Sequence, residues 1–451
     1  MNQLILRHPS LKLRLVIAVA SSKVFYMQHI VIIGGGFAGI NLAKHLANNN
    51  DFTVTLVDRN NYNFFPPLLY QVATSYLETS SIAYPFRRFL RGKKNIQFRM
   101  GELKQVIAAE NKIILSNGEL KYDYLVFATG AETNFFGMEN VKKHALPMKT
   151  LNDALELRNY FLQRMEQATR TTDPMERKKL LTIVVAGGGP TGVEVSGVLA
   201  EMKKKVIPRD YPELVGKGFE SHIYLVDGGP KLLAPMSEKS QADTLDALTK
   251  MGVEVKLNHQ VKDYADDVVT FANGERIETK TVVWAAGVTG SVFEGIPAES
   301  YGRGRRMIVD ETNKVMGLSN VYSIGDCCLQ TSDKHFPNGH PQVAQVAIQQ
   351  GKRLAKNFAA MVKGQTVTPF AYHDKGTMAI IGWNKAVADL PKPKLHFKGF
   401  IAWLMWLFIH LISLVNYRNK IRTLYNWSGS YFTRDQTLRF IVRPDGEPPV
   451  K

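Results

Sequence analysis

Two glycine-rich segments with the same spacing constrain the fold of this chain more than any other feature. The first, HIVIIGGGFAGINLAKHLANN, begins at His29, and the second, LLTIVVAGGGPTGVEVSGVLAEM, begins at Leu180. Each starts with a run of β-branched residues, passes through glycines and ends in apolar residues spaced as in an amphipathic helix. The sequence therefore predicts two copies of one strand-turn-helix unit.

The glycines indicate what such a unit binds. Both copies have the spacing GxGxxG: Gly34, Gly36 and Gly39 in the first, and Gly187, Gly189 and Gly192 in the second. The first glycine permits a tight turn, the second lets the backbone approach a pyrophosphate, and the third allows the helix to pack on the strand. Because the N-terminus of the following helix offers free amides to phosphate, we expect a dinucleotide at each copy.

An aspartate ends the second strand of each predicted unit. FTVTLVDRN reaches Asp58, 19 residues after Gly39, and SHIYLVDGG reaches Asp227, 35 residues after Gly192 because a polar insertion intervenes. A carboxylate at this place accepts hydrogen bonds from the ribose hydroxyls of an adenosine. Since Asp227 would repel a 2′-phosphate and no arginine follows it directly, we expect the second site to prefer NADH to NADPH.

Three further predicted strands end in small residues. DYLVFATG (123–130) and KTVVWAAG (280–287) are each expected to close the sheet of one copy. VYSIGDC places Gly325 and Asp326 at the end of another strand.

Together these features resemble the two-dinucleotide-domain flavoprotein reductases over roughly residues 28–390. In that group an aspartate placed like Asp326 hydrogen-bonds the ribityl chain of FAD. The resemblance implies FAD at the first copy and NADH at the second, so that one dinucleotide passes electrons to the other. The residues assigned to FAD are Gly34, Gly36, Gly39, Asp58, Thr129, Gly130, Gly325 and Asp326; those assigned to NADH are Gly187, Gly189, Gly192, Asp227 and Gly287.

The cysteines limit the electron acceptor. The chain has two, Cys327 and Cys328, which are adjacent and follow Asp326. The disulfide reductases of this superfamily need a redox cysteine pair near the flavin, and the N-terminal half lacks cysteine. Sulfide:quinone oxidoreductases and peroxidases that use a sulfenic acid fit poorly for the same reason. The acceptor is therefore expected to take electrons directly from flavin.

The segment VAQVAIQQG supplies Ala344, Gln345, Ala347 and Gln349, with the two glutamines on one helical face. It resembles the AQxAxQ segment of type II NADH:quinone oxidoreductases, as GGGPTGVE and DKGTMAIIG resemble other segments of that family. The resemblance implies non-covalent FAD, NADH as donor, a membrane quinone as acceptor, and a single-subunit monotopic enzyme that does not pump protons.

The same resemblance implies roles for four side chains. Glu194 of GVE would lie near the nicotinamide and the flavin, at the first turn of its helix and partly buried, and could relay a proton. Gln345 and Gln349 would line the quinone site, and Lys375 of DKGT would stabilise a developing quinolate.

The most apolar stretch is FKGFIAWLMWLFIHLISLVNYRNK (397–420), and its pattern is that of a helix. Trp403, Trp406, His410, Ser413, Tyr417 and Lys420 share one face of such a helix, and Leu404, Phe408, Leu411 and Val415 lie on the opposite side. Because tryptophan and tyrosine favour the headgroup zone, we expect a helix lying on the membrane, with a second surface helix after it. A membrane span and a buried core helix are the alternatives. Truncation after Pro391 is expected to release the protein from membranes while leaving NADH oxidation intact.

The predicted fold is thus α/β, with two Rossmann-like domains as in glutathione reductase and a C-terminal amphipathic helical region that anchors the chain to a membrane. The boundaries are an N-terminal extension at 1–27, an FAD domain at 28–148 and 287–390, an NADH domain at 149–286 and the anchoring region at 391–451. The extension resembles a signal peptide only loosely, because its apolar run is short.

The net charge of +17 predicts that the protein binds an anionic partner. In residues 391–451, ten Lys and Arg stand against three Asp and Glu, which favours an anionic lipid surface over nucleic acid. We expect a peripheral protein on the cytoplasmic face of the inner membrane. A homodimer is possible, and ubiquinone and menaquinone are not distinguished. The alternatives are a reductase of a ferredoxin or rubredoxin, and a redox protein resembling apoptosis-inducing factor.

Overall fold

The computed structural model describes residues 27–215, 220–414, 416–433 and 438–442. Except for Met27, the predicted N-terminal extension lies outside these residues. Two five-stranded parallel sheets form the frame of the molecule. In spatial order, the first sheet contains Val321–Ser323, Tyr124–Phe127, Gln28–Ile33, Phe52–Asp58 and Ile96–Met100. The second contains Leu146–Pro147, Thr281–Trp284, Ile183–Ala186, Ile223–Asp227 and Glu254–Leu257.

Apart from one edge strand in each, the two sheets follow the same chain order, which confirms the predicted repeat. In each copy the first strand pairs in parallel with the second, and a three-stranded antiparallel sheet precedes the fourth strand. The central strands are buried on both faces, as expected for runs of valine and isoleucine in parallel sheets. The antiparallel sheets are Leu103–Ile107, Lys112–Leu115 and Gly118–Lys121 in the first copy, and Val261–Ala265, Val268–Phe271 and Arg276–Glu278 in the second.

One detail of the predicted sheets is wrong. The strands at 124–127 and 281–284 do join the expected sheets, but each lies inside its sheet rather than at the edge. Val321–Ser323 closes the first sheet, and Leu146–Pro147 closes the second. Both edge strands come from distant parts of the chain, so a reading of each copy by itself could not place them.

Thirteen α-helices lie among the described residues. They are Phe37–Leu46, Leu69–Ala73, Thr79–Ile82, Phe86–Phe89, Glu139–His144, Leu151–Arg170, Pro174–Leu181, Pro190–Lys205, Ile207–Asp210, Glu238–Met251, Ala344–Val362, Gly399–Ser413 and Tyr417–Thr433. The longest, Leu151–Arg170, begins with a capping box in which Thr150 and Asp153 each accept a hydrogen bond from the other's backbone amide. The helix Glu238–Met251 ends at Gly252, which takes the left-handed conformation that suits glycine.

Three small strand pairs and one sheet complete the described structure. The pairs are Tyr62–Phe64 with Ala83–Pro85, Glu132–Thr133 with Val288–Thr289, and Met307–Val309 with Cys328–Gln330. The sheet is antiparallel and consists of Thr377–Gly382, Lys385–Pro391 and Lys394–Lys398. It leads directly into the helix Gly399–Ser413, which packs against it.

The apolar C-terminal stretch forms two helices, so the residues 397–420 do not share one continuous helix. The first helix ends at Ser413 and the next begins at Tyr417. Asn416 explains the break, because its side chain accepts a hydrogen bond from the amide of Arg418 and so caps the second helix. The predicted second surface helix is present as Tyr417–Thr433. No helix among the described residues is long and apolar enough to cross a bilayer.

The predicted orientation of the first C-terminal helix is also wrong. Trp406 is fully buried and Trp403 nearly so, whereas Phe408 on the opposite face is 63% exposed. The tryptophan face packs into the protein because it contacts aromatic side chains there. The ring centroids of Trp406 and Tyr70 are 6.4 Å apart, and those of Trp403 and Tyr431 are 5.5 Å apart. The face that meets the surroundings is aliphatic and phenylalanine-rich. Val415, assigned to that face, lies outside the described residues.

Candidate functional site

The first glycine motif forms an open cradle at the end of a strand. Gly34 has a φ of +101°, and a Cβ atom on it would meet the carbonyl oxygen of Ala128 at 2.4 Å. A Cβ on Gly39 would lie 1.9 Å from the carbonyl oxygen of Gly34, so the helix approaches the turn as closely as backbone allows. By contrast, nothing lies within 4 Å of the Cβ position of Gly36. This open space beside a helix N-terminus is where the backbone can receive a pyrophosphate.

Asp58 holds the turn of this motif from the neighbouring strand. One carboxylate oxygen accepts a hydrogen bond from the amide of Gly35 at 2.7 Å, and the other accepts one from Asn60 at 2.8 Å. Burial raises the pKa of Asp58 above its ordinary value, while the two amides favour the charged form. The lone pairs that remain on the carboxylate are available to ribose hydroxyls.

The second motif repeats this geometry. A Cβ on Gly192 would lie 1.8 Å from the carbonyl oxygen of Gly187, and the Cβ position of Gly189 is open. Asp227 accepts hydrogen bonds from the amides of Gly188 at 2.5 Å and Gly229 at 2.6 Å. The two motifs are therefore equivalent dinucleotide cradles despite the longer insertion in the second. Gly287, which was predicted to end the adjoining strand, lies three residues after the end of Thr281–Trp284.

The residues assigned to the flavin side lie around the first cradle. Gly325 packs close to Ala38, since its Cβ position is 3.1 Å from the Cβ of that residue. Asp326 follows it and forms an ion pair with Lys149 at 3.8 Å, and burial raises the pKa of its carboxyl. The hydroxyl of Thr129 is buried without a hydrogen-bond partner.

Gly130 is the next residue after Thr129, and its Cβ position meets nothing within 4 Å. An open backbone position, a partnerless buried hydroxyl and an unfilled pyrophosphate cradle fit a bound FAD. The predicted cradle and flavin-side residues are thus brought to one edge of the first sheet.

Gln350 is a functional residue that the sequence reading missed. It is buried, and its side-chain oxygen accepts a hydrogen bond from the amide of Gly325 at 2.7 Å. It therefore fixes the turn that carries Asp326. Its signal in the sequence was the third glutamine of VAQVAIQQG, which falls on the buried face of the helix Ala344–Val362.

The two predicted quinone-site glutamines bind a neighbouring loop. Gln345 donates to the carbonyl of Gly376 at 2.8 Å and accepts from the amide of Lys375 at 3.2 Å. Gln349 donates to the carbonyl of His373 at 2.9 Å and accepts from its amide at 3.1 Å. Both amides are thus engaged by the segment 373–376. The Lys375 side chain is exposed.

Glu194 lies elsewhere, at a cavity of about 520 Å³ between the helix Pro190–Lys205 and the C-terminal helices. Most of the lining is apolar and includes Val198, Ile380, Ile381, Trp403, Leu407 and Leu411. Gln345, Gln349 and Lys375 are not among the lining residues. The exposed side chains Phe400, Leu404 and Phe408 belong to the lining, so the cavity opens on the apolar outer face.

The inner end of the cavity is polar. Glu194 is more buried than expected, since it lies one turn inside its helix, and burial raises its pKa well above the ordinary range. The amide of Ile380 and the indole of Trp406 face its carboxyl group and favour the charged form more weakly. The indole N–H of Trp406 does not reach the geometry of a formed hydrogen bond. Burial in this setting therefore favours the protonated form of the carboxyl group.

A line of aromatic rings joins this end of the cavity to the first cradle. Phe37, the residue after Gly36, contacts Phe65 with ring centroids 5.6 Å apart, and Phe65 contacts His410 at 6.1 Å. His410 stacks on Trp406 at 3.8 Å. Burial lowers the pKa of His410 to about 4, so its imidazole is neutral in this apolar setting.

The two cysteines are buried free thiols. Burial raises the pKa of Cys328 to about 12, which disfavours the thiolate that disulfide chemistry requires. Both lie beneath the turn of Gly325 and contact the surrounding backbone, as in the bond between Cys327 and Ile324. Their environment is that of packed core residues.

Comparison with known proteins agrees with this geometry. Residues 28–351 match the model of the pyridine nucleotide-disulphide oxidoreductase family, and residues 374–435 match that of the NDH2 C-terminal domain. Type II NADH:quinone oxidoreductase NdhA of Mycobacterium tuberculosis is 38% identical over 424 residues, which span 90% of this chain and 88% of that protein. The internal alternative NAD(P)H-ubiquinone oxidoreductase A1 of Solanum tuberosum mitochondria is 30% identical, with coverage of 91% and 88%.

A solved structure shares the fold. The structure of NDH2 from Plasmodium falciparum in complex with NADH superposes with a TM-score of 0.83 at 23% identity, and covers 93% of this chain and 100% of that one. The family relationship extends through both nucleotide cradles and the C-terminal helices. The chain belongs to the type II NADH:quinone oxidoreductase family.

Proposed function

We propose that this protein oxidises NADH and reduces a membrane quinone, with non-covalently bound FAD as the carrier between them. The observation that carries the proposal is the cavity: it is mainly apolar, has a buried carboxyl group at its inner end and opens on an exposed apolar surface. A quinone has a flat polar head and a long apolar tail. Such a molecule matches a cavity with a polar end and a lipid-facing mouth.

FAD, when bound, supplies a two-electron carrier between a hydride donor and a quinone. The first cradle would hold it through the amides beyond Gly36 and through Asp58, with Asp326 near its ribityl chain. The second cradle would hold NADH through Gly189 and Asp227, whose negative charge disfavours a 2′-phosphate. Each of these groups acts by binding and orienting a substrate or carrier.

At the quinone, the chain supplies a proton donor and a dry environment. Glu194, whose protonated form is favoured by burial, can give a proton to a quinone oxygen as negative charge develops there. Tyr70 lies beside it, also buried, with its hydroxyl accepting a hydrogen bond from Gln71 at 2.8 Å. Gln345 and Gln349 would support the flavin side of this site by holding the loop that carries Lys375.

The outer face of the C-terminal helices would lie on the membrane. Ile401, Leu404, Phe408 and Ile412 form a stripe of exposed apolar side chains along one helix. Lys420 donates a hydrogen bond to the carbonyl of Ile412 at the end of that helix, which places positive charge beside the stripe. Apolar insertion together with cations is the pattern of a protein bound to an anionic lipid surface. A peripheral position on the cytoplasmic face and a homodimer belong to this proposal.

The test uses the detergent-purified holoenzyme with NADH and, in separate arms, short-chain analogues of ubiquinone and menaquinone. We expect rapid NADH oxidation with at least one of them, and reoxidation of the NADH-reduced flavin by that quinone. Flavin that is reduced by NADH and is not reoxidised by either quinone would refute the proposed acceptor. Ferricyanide, which accepts electrons without protons, serves as a measure of intact NADH oxidation.

A cavity-filling variant tests the location of the site. Val198 lines the cavity on the helix that carries Glu194, so Val198→Trp should raise the KM for quinone and leave ferricyanide reduction unchanged. Val292→Trp is the matched control, because Val292 is exposed and lies outside the cavity. An unchanged KM in the Val198 variant would place the quinone elsewhere.

A further inference from the structure

The helix Pro190–Lys205 presents a second glutamate to the cavity. Glu201 follows Glu194 by seven residues, which places the two carboxyl groups on one face, roughly 10 Å apart along the axis. Both line the cavity. They differ in exposure, because Glu194 is buried and Glu201 is only partly so. Glu201 therefore lies between the interior of the cavity and the solvent.

Glu201 binds two groups on neighbouring elements. One carboxylate oxygen accepts a hydrogen bond from the amide of Trp383 at 2.5 Å, just after the strand whose residue Ile380 faces Glu194. The other accepts a long hydrogen bond from the hydroxyl of Tyr76 at 3.4 Å. A carboxylate that only held the turn at Trp383 would need neither a place on the cavity lining nor a hydrogen bond from Tyr76.

Tyr70 lines the same cavity as the two glutamates. Burial raises the pKa of Tyr70 well above the ordinary value, and Glu194, Tyr76 and Glu201 contribute to the same direction. Its hydroxyl accepts a hydrogen bond from Gln71, whose oxygen accepts one from the indole of Trp427 at 2.7 Å. A row of polar groups thus crosses an otherwise apolar wall.

The overall reaction requires a proton from the medium. NADH supplies two electrons and one proton as a hydride, while quinone needs two electrons and two protons to become quinol. One proton must therefore be taken from water in each turnover and must reach a cavity with an apolar lining. Resting on the proposed function, we propose that Glu201 is the residue through which this proton enters, with Tyr76 and Tyr70 leading to Glu194.

Other charged or titratable groups near this row are few among the described residues. Lys205 lies one turn beyond Glu201, lines the cavity, and has its ammonium group 5.4 Å from the ring centre of Trp383. Tyr431 contributes from the last helix, and the neutral imidazole of His410 stacks beside Trp406. Lys205 thus places a positive charge on the cavity wall one helical turn from Glu201.

Glu201→Gln is the decisive variant, because glutamine keeps an oxygen for the Trp383 amide but cannot carry a proton. We expect quinone turnover to fall by about tenfold or more, as for loss of a proton-transfer group, while ferricyanide reduction and flavin content stay unchanged. The loss should deepen as pH rises, because the proton supply from water falls. A small permeant weak acid added to the assay should restore turnover in this variant.

Glu299→Gln, on an exposed turn outside the cavity, is the matched control and should behave as wild type. Tyr76→Phe should give a smaller loss of quinone turnover with the same pH dependence. If the Glu201 variant loses its flavin, the Tyr76 variant is the test of the proposal. Wild-type quinone turnover and an unchanged pH profile in both variants would show that Glu201 only holds Trp383. Wild-type enzyme that reduces ferricyanide but no quinone would instead refute the proposed function itself.

Discussion

The outer stripe of the helix Gly399–Ser413 makes a quantitative prediction about membrane binding. Ile401 is 55% exposed and Phe408 is 63% exposed, two turns apart on one face. Taking about 2 kcal/mol for complete burial of such a side chain, these fractions leave about 1 kcal/mol available from each on insertion into lipid. Replacing both residues by serine should therefore cost about 2 kcal/mol of membrane affinity, or roughly 30-fold in the partition coefficient.

The assay is co-flotation of the purified holoenzyme with vesicles, at increasing lipid concentration, so that the partition coefficient is measured directly. Neutral vesicles isolate the apolar contribution, and vesicles with anionic lipid add the contribution of the cations. Met316→Ser is the matched control, because Met316 is a large exposed apolar side chain far from the C-terminal helices in sequence. Ferricyanide reduction should be the same in all variants, since the substituted side chains lie on the outside.

Two results would refute the reasoning. An Ile401→Ser, Phe408→Ser variant that binds neutral vesicles as tightly as wild type would show that this stripe does not meet lipid. An equal loss in the Met316 variant would show that the effect is a general consequence of lower surface hydrophobicity. High salt should weaken binding to the anionic vesicles in every variant and leave binding to neutral ones nearly unchanged.

The remaining predictions concern the cradles and the buried carboxyl group. Gly36→Ala should fold but lose flavin, whereas Gly39→Ala should lower the melting temperature even of the flavin-free protein, because its Cβ meets a backbone oxygen at 1.9 Å. Gly189→Ala should raise the KM for NADH and leave flavin content unchanged, since its Cβ position is also open. Glu194→Gln should slow quinone reduction with FAD retained, and should gain stability relative to wild type as pH rises. The raised pKa of Glu194 in the folded state means that the folded protein binds more protons than the unfolded protein above about pH 4.3. The stability of the wild type therefore falls as pH rises through that range, and the variant lacks this loss. Melting temperatures at mildly acidic and alkaline pH measure this difference, and a constant offset would contradict it.

The sequence predicted the two cradles well because their geometry is local. The contact of Gly39 with Gly34 joins residues five apart, and the hydrogen bond from Gly35 to Asp58 joins neighbouring strands of one unit. The spacing of glycines and the acid therefore carries nearly all the information needed. The same reasoning worked twice, even though an insertion lengthens the second unit.

Prediction failed where the outcome depends on distant partners. Tryptophan and leucine are both apolar, and the pattern of the C-terminal helix alone does not decide which face is buried. The decision comes from Tyr70, which lies more than three hundred residues earlier and receives the ring of Trp406. The hydrogen bonds of Gln345 and Gln349 to the loop at 373–376 likewise depend on a distant partner, and the place of both residues at a quinone site stays a prediction.

The buried face of the C-terminal helix changes what a truncation should do. Ala402, Trp403, Trp406 and Leu414 belong to the main apolar core, together with strands of the second sheet. Loss of Trp406 alone should cost about 3–5 kcal/mol, a large part of the stability of an ordinary domain. Deleting the chain after Pro391 is therefore expected to destabilise the whole protein, and not to yield a stable enzyme merely released from the membrane. Circular dichroism on heating checks this: a truncated protein with a wild-type melting temperature would show that the helix is an appendage. Because one helix forms both the wall of the cavity and the exposed outer stripe, the contributions of its two faces can be separated only by point substitutions on that stripe.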